Sequence, residues 1–182
     1  MAAPAEMTAF ALPTLRRRIR LAAPPSLVFG LISAVVLLAS VGFGLWSKGF
    51  AAFPRTVVAL AVLSLPPALV GMLAAYLIDC LLPAAGRAAR GLLMAFAILC
   101  VGPGASAAFF NIAYRFDYPS DLAPVWTKVG LHEAVWTAIS TTYLYLIAAP
   151  LLYWPWSLVA AIALATAYAA APPAMGRFAR RH

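Results

Sequence analysis

One glutamate stands out among the residues that could do chemistry, because hydroxyl-bearing residues follow it at helical spacing. Residues three or four positions apart share one face of a helix, so a helix here carries a polar stripe of Glu133, Thr137, Ser140 and Thr141. An ionisable group in an apolar segment usually faces a protein interior or a water-filled cavity, because contact with hydrocarbon is costly. Glu133 is therefore either a proton or cation site or part of a structural ion pair, and we favour the structural pair.

A second polar group is expected close to this glutamate. Asn111 lies near the end of one apolar segment, and His132 lies at the start of the next. If both segments cross a membrane, these residues reach the same outer end, where Asn111, His132, Glu133 and Thr137 would line an outward-facing pocket. Cys80 and Cys100 have no CxxC spacing and no partner histidine at ligand spacing, so we expect no metal and no cofactor.

An ion pair is expected on the inner side of the membrane, opposite the outward-facing pocket. Asp79 lies near the end of the second apolar segment, and Arg87 and Arg90 follow a short loop. A carboxylate about one turn from the end of an apolar run reaches the membrane interface, where an arginine can meet it. We therefore expect a structural pair between Asp79 and one of the two arginines.

Small residues recur at helical spacing on the second and third apolar segments. In membranes such stripes let helix backbones approach closely. The positions expected to pack helix against helix are Gly71, Gly104, Ala107 and Ala108.

The composition defines the class of protein. Apolar residues make up 65% of the 182 residues and charged residues only 10%, whereas soluble domains carry about 25% charged residues. We expect an all-α integral membrane protein, with a basic tail at 1–25, a helical bundle at 26–176 and a basic tail at 177–182. Five apolar segments are long enough to cross a bilayer. They lie at 26–46, 56–82, 91–114, 131–150 and 155–173.

The net charge of +8 bears on orientation, because the basic residues flank the apolar runs. This distribution argues against nucleic-acid binding and favours contact with anionic lipid. With five crossings and a cytoplasmic N-terminus, the basic residues divide six inside to seven outside. If the last segment, 155–173, is instead re-entrant or interfacial, four helices cross, the C-terminal arginines join the inner side and the division becomes nine to four. Both paths keep the N-terminus cytoplasmic, and the bias toward Ala, Pro, Arg and Leu suggests a bacterial inner membrane.

Three functions are compatible with these sequence features. The first is an accessory or structural subunit of a larger membrane complex, favoured by short loops and little chemistry. The second is a small solute, ion or proton-coupled transport component that uses Glu133. The third is a lipid-modifying enzyme with His132 and Glu133 as acid and base. We favour the first, with other membrane proteins or further copies of the chain as partners, and we expect no enzymatic activity.

The loop between the third and fourth segments is the only sizeable surface outside the apolar runs. It contains Trp126 between Pro124 and Lys128. A large aromatic side chain is a frequent anchor in protein interfaces, so Trp126 is the expected contact for a partner.

Overall fold

The computed structural model of this chain describes residues 4–50, 54–117 and 123–172, and helices are the only regular secondary structure in these ranges. The elements are α1 (Pro4–Ser47), α2 (Pro54–Leu81), α3 (Arg87–Phe96), a π-helical segment (Ala97–Val101), α4 (Gly102–Asp117), α5 (Lys128–Tyr153) and α6 (Trp156–Ala170). Because α3, the π-helical segment and α4 form one continuous helical rod, the described part of the chain has five helices. The all-α class is confirmed.

Three of these helices are long and apolar enough to cross a membrane. They comprise Arg16–Ser47, Thr56–Leu81 and Arg87–Ala113. The shortest has 26 residues, so at a rise of about 1.5 Å per residue it exceeds the roughly 30 Å of bilayer hydrocarbon. α6 is also apolar, but it has only 15 residues.

Of the two basic tails expected from the sequence, only the N-terminal one lies among the described residues. Residues 4–25 form the first half of α1 and not a separate segment. The C-terminal tail at 177–182 lies outside the described residues.

α1, α2 and the α3–α4 rod pack side by side. At Gly30 of α1 an added Cβ would lie 2.7 Å from the Cβ of Met72 on α2, and at Gly102 of α4 it would lie 2.9 Å from the Cβ of Pro67. Only glycine admits so close a neighbour. Antiparallel α1 and α2 therefore meet at Gly30, and α4 meets the middle of α2 at Gly102.

The bundle has two ends, the Asp79 end and the Trp46 end. The Asp79 end is the one at which α2 ends and α3 begins, and Asp79 and Arg90 meet there. The Trp46 end is the one at which α1 ends and α2 begins. The main core lies between them, around Met94, Ile98 and Leu164.

α5 lies across the Trp46 end. Its Thr141 accepts a hydrogen bond from Asn111 of α4, and its Tyr145 packs against a buried cluster that includes Val41 and Leu45 of α1. The carbonyl of Trp154, just after α5, accepts a hydrogen bond from Lys48. These three contacts, made by α5 and the residue that follows it, therefore fall at one end of the bundle.

α6 then runs back toward the Asp79 end. The ring of Trp156 lies 5.0 Å from that of Phe43, and the ring of Tyr168 lies 5.2 Å from that of Phe29. Since Phe43 is near the end of α1 and Phe29 is at its middle, α6 is antiparallel to α1.

This path corrects the expected one for the last two apolar segments. We expected 131–150 and 155–173 each to pass from one end of the bundle to the other, in opposite directions. Instead, four helical rods (α1, α2, α3–α4 and α6) run between the ends, and α5 remains at the Trp46 end. Segment length and hydropathy do not distinguish these cases, because an apolar helix of 26 residues can lie along a bundle or across it.

Candidate functional site

A buried ion pair occupies the Asp79 end. Nη2 of Arg90 donates to Oδ1 of Asp79 at 2.9 Å, and the two residues are only 3% and 7% exposed. Arg90 is thus the arginine in contact with Asp79, whereas Arg87 is exposed at the start of α3. The pair lies between helices and not at the surface, where we had expected the carboxylate to reach the interface.

Tyr168 of α6 joins this pair. Its hydroxyl lies 3.1 Å from Oδ1 of Asp79 and 3.2 Å from the carbonyl of Ala75, and its single proton can be donated to either acceptor. The guanidinium of Arg90 lies 4.6 Å from the centre of the Tyr168 ring, within cation–π range. Asp79, Arg90 and Tyr168, which we call the polar triad, therefore tie α2, α3 and α6 together.

Arg90 also holds the end of α6. Its Nη1 donates to the carbonyl of Ala171 at 2.9 Å, directly after the last helical residue. The final carbonyls of a helix have no partner within the helix, so a cation in this position satisfies one of them and interacts favourably with the helix dipole. A single buried guanidinium thus pairs with Asp79, lies over the Tyr168 ring and holds the end of α6.

A cavity of about 540 Å³ lies beside the polar triad. It is lined by residues of α1 between Pro24 and Ile32, by residues between Leu164 and Ala171 on and just after α6, and by Ala75, Asp79 and Arg90. Its volume falls within the range of roughly 300–1,000 Å³ typical of small-molecule sites. The Asp79 end therefore combines a mostly apolar cavity with a charged and hydrogen-bonding wall.

The polar stripe on α5 divides into two separate contacts. Oε2 of Glu133 accepts a hydrogen bond from the backbone N–H of Ala123 at 2.9 Å, which fixes the segment before α5. Two turns further along, about 12 Å of helix rise, Thr141 accepts from Asn111 at 3.2 Å and can donate to the Thr137 carbonyl.

The other expected members of the outward pocket point elsewhere. His132 is exposed, and its ring packs edge-on against Trp136 at 6.1 Å between centres. Ser140 is exposed. The structure thus brings Asn111 to Thr141 but does not gather Asn111, His132 and Glu133 around one point.

The small residues predicted to pack helices have unequal surroundings. Gly71 faces Ile98 and Phe29 at ordinary contact distance, and Ala107 is buried. Ala108 is exposed, and a Cβ added to Gly104 would meet nothing within 4 Å. The closest approaches between helices lie at Gly30 and Gly102 instead.

Metal-ligating side chains are dispersed in the described part of the chain. No three residues of the types His, Cys, Asp or Glu lie close enough there to hold an ion. Cys80 is buried and Cys100 exposed, and both are free thiols. At the Asp79 end, the side chains of the polar triad form an ion pair and hydrogen bonds.

Comparison with protein-family models, with curated proteins and with solved structures gives no match to this chain.

Proposed function

We propose that this chain is a multi-pass membrane protein whose four helical rods cross the bilayer while α5 lies along one interface. From Pro25, which lines the cavity, to Leu45, in the cluster below α5, α1 rises about 30 Å, the thickness of bilayer hydrocarbon. All five tryptophans are exposed and belong to the Trp46 end or to α5 and its flanks: Trp46, Trp126, Trp136, Trp154 and Trp156. Tryptophan concentrates at membrane interfaces, which supports this placement.

We place the Asp79 end in the cytoplasm. Because α6 returns to the Asp79 end, the basic residues that follow it in the sequence fall on the same side as those of α1. The count of Lys and Arg is then nine at the Asp79 end against four at the Trp46 end. Cytoplasmic segments carry the excess of positive charge. The residue composition supports a bacterial inner membrane as the location.

Reporter fusions test this topology. With four crossings, a reporter after His182 should lie on the same side of the membrane as one before Met1, and both should be cytoplasmic. A reporter inserted after Ala84, in the α2–α3 loop, should agree with them, and one after Phe50, at the Trp46 end, should lie on the opposite side. A C-terminal reporter on the side opposite the N-terminus would establish five crossings and exclude this path.

Within the membrane, we propose that the chain is a non-catalytic accessory subunit of a larger assembly. One observation carries this proposal: the polar side chains that the sequence marks for chemistry are used to hold the chain together. Asp79 and Arg90 join helices, Asn111 joins α4 to α5, and Glu133 fixes the segment that precedes α5. Function is then expected at the surface, and Trp126, at 88% exposure, is its most prominent anchor.

Replacing Trp126 with alanine should remove this anchor and release the partner. Central aromatic anchors commonly contribute about 2 kcal/mol or more to a protein interface, which is a loss of roughly 30-fold in affinity. The measurement is the mass of the complex purified from its native membrane in mild detergent. Trp46→Ala is the matched control, since Trp46 is 71% exposed at the same end but lies on α1 and not on the loop.

The two outcomes of this experiment differ clearly. Stoichiometric subunits present with the wild type and Trp46→Ala, but lost with Trp126→Ala, support the accessory role. A 19.2 kDa chain that purifies alone from the wild-type membrane would contradict it.

The transport function is the second candidate, and the cavity beside the polar triad favours it. This cavity lies at the Asp79 end, whereas Glu133 is on α5. A transport component would therefore use Asp79 and Arg90 for its substrate in place of Glu133. The acid–base pair proposed for a lipid-modifying enzyme has no comparable support, because His132 and Glu133 engage different partners.

A further inference from the structure

The cavity at the Asp79 end has the form of a site for an amphiphile. Val28, Phe29 and Ile32 of α1 face Leu164 and Ala167 of α6 across it, and this part is apolar. The polar triad also lines the cavity and makes another part of its wall charged and hydrogen-bonding. A ligand that matches both parts has a hydrocarbon chain attached to a group that accepts or donates hydrogen bonds.

The polar triad retains hydrogen-bonding capacity toward such a ligand. A guanidinium has five N–H donors, and the contacts of Arg90 within the described residues use Nη1 and Nη2 once each. Both contacts of Asp79 there use Oδ1, which leaves Oδ2 as an acceptor. The carboxylate repels a free fatty acid at this depth, whereas a neutral ester or hydroxyl group meets no such repulsion.

A basic residue of α1 lies on the same helix face as two residues that line the cavity, about two turns before the first of them. Arg18 precedes Pro25 by seven residues and Phe29 by eleven, so all three share one face of the helix. The Nε of Arg18 is buried without a hydrogen-bond partner in the described part of the chain. Arg18 as a whole is partly exposed, and a phosphate oxygen is a well-matched partner for a guanidinium.

We infer that this cavity binds one acyl chain of an anionic phospholipid from the adjoining leaflet, with its ester region at the polar triad and its phosphate at Arg18. Charge complementarity selects this occupant, because an anionic headgroup satisfies the Arg18 guanidinium. The inference rests on the membrane insertion proposed above. It does not depend on the partner complex, which is assigned to the Trp46 end.

The test is the binding of phosphatidylglycerol and phosphatidylcholine with identical acyl chains to the full-length chain in mild detergent, measured by native mass spectrometry. We expect the wild type to bind phosphatidylglycerol about tenfold more tightly, as one charge-assisted contact implies. Arg18→Gln should abolish most of this preference. Arg16→Gln is the matched control, because it removes the same charge from a different, exposed face of α1 and should change the preference less than about fivefold.

Two further variants address the cavity itself. Ala167→Phe fills it from α6 and Val28→Trp fills it from α1, so both should lower the affinity for phosphatidylglycerol about tenfold. Ala163→Phe adds the same bulk at an exposed position of α6 that is not in the cavity wall, and it should bind like the wild type. Size-exclusion chromatography identifies folded preparations, and either filling variant suffices if the other does not fold.

Equal binding of the two lipids by the wild type, or unchanged binding by a folded filling variant, would overturn the inference. Fractionation of the same cells reports on membrane insertion separately. Recovery of the chain in the membrane fraction without lipid selectivity would thus exclude the lipid site and leave the proposed topology intact.

Discussion

Replacing Asp79 with alanine is expected to lower the free energy of unfolding by about 3 kcal/mol, because removal of one partner leaves the other charge buried and unpaired. Arg90 is only 3% exposed and its closest acidic contact is Asp79. Tyr168 loses an acceptor in the same variant. The measurement is reversible denaturation of the purified chain in detergent.

A double-mutant cycle separates the ion pair from the packing around it. Removing both charges, with Asp79→Ala and Arg90→Met together, should cost less than the sum of the two single variants, because no unpaired charge remains. Arg87→Met is the matched control, since Arg87 is exposed on the same helix, and its effect should be within about 0.5 kcal/mol. Additive losses in the cycle would mean that the contact between Asp79 and Arg90 does not stabilise the fold.

Replacing Gly30 with alanine is the second variant with a large expected effect. The added Cβ would lie 2.7 Å from Cβ and 2.8 Å from Cγ of Met72. The Cβ of Met72 cannot move without its backbone, so α1 and α2 must separate locally. Overpacking of this kind costs about 2 kcal/mol, and the same denaturation experiment measures it.

Gly104→Ala provides the matched control for this variant. Its added Cβ meets nothing within 4 Å, and alanine is a better helix former than glycine by roughly 0.5–1 kcal/mol. We therefore expect Gly104→Ala to be neutral or stabilising. A loss at Gly104 equal to that at Gly30 would show that helix packing in the bilayer differs from the contacts described above.

The polar triad illustrates how much of the site the sequence can predict. Asp79, Arg87 and Arg90 stand out because charges are rare in apolar segments, and their spacing across a short loop predicts a pair. The sequence does not single out Tyr168, because a tyrosine in an alanine-rich segment is compatible with an interface, a core or a lipid contact. Its role depends on α6 being antiparallel to α1, which brings it to Asp79.

For the small residues, too, the sequence predicts one part of the packing and the tertiary structure decides the other. Their helical spacing predicts that α2 and the α3–α4 rod can pack closely, and Gly71 and Ala107 do lie at contacts. Which glycine is indispensable depends on the residue opposite it. Gly30 faces Met72, whereas Gly104 faces open space, and a periodicity within one helix contains no information about its neighbour.

The sequence by itself determined that this protein is helical and apolar and that Asp79 would meet an arginine. It also located the helices to within a few residues, except that α1 begins at Pro4 and not near residue 26. These properties follow from composition, from period and from short-range spacing, all of which are local. The tertiary structure decided that α5 lies across the Trp46 end, that α6 returns to the Asp79 end, and that a cavity forms beside the polar triad. Hydropathy measures how apolar a segment is but not its direction, and direction is set by contacts between residues far apart in the chain.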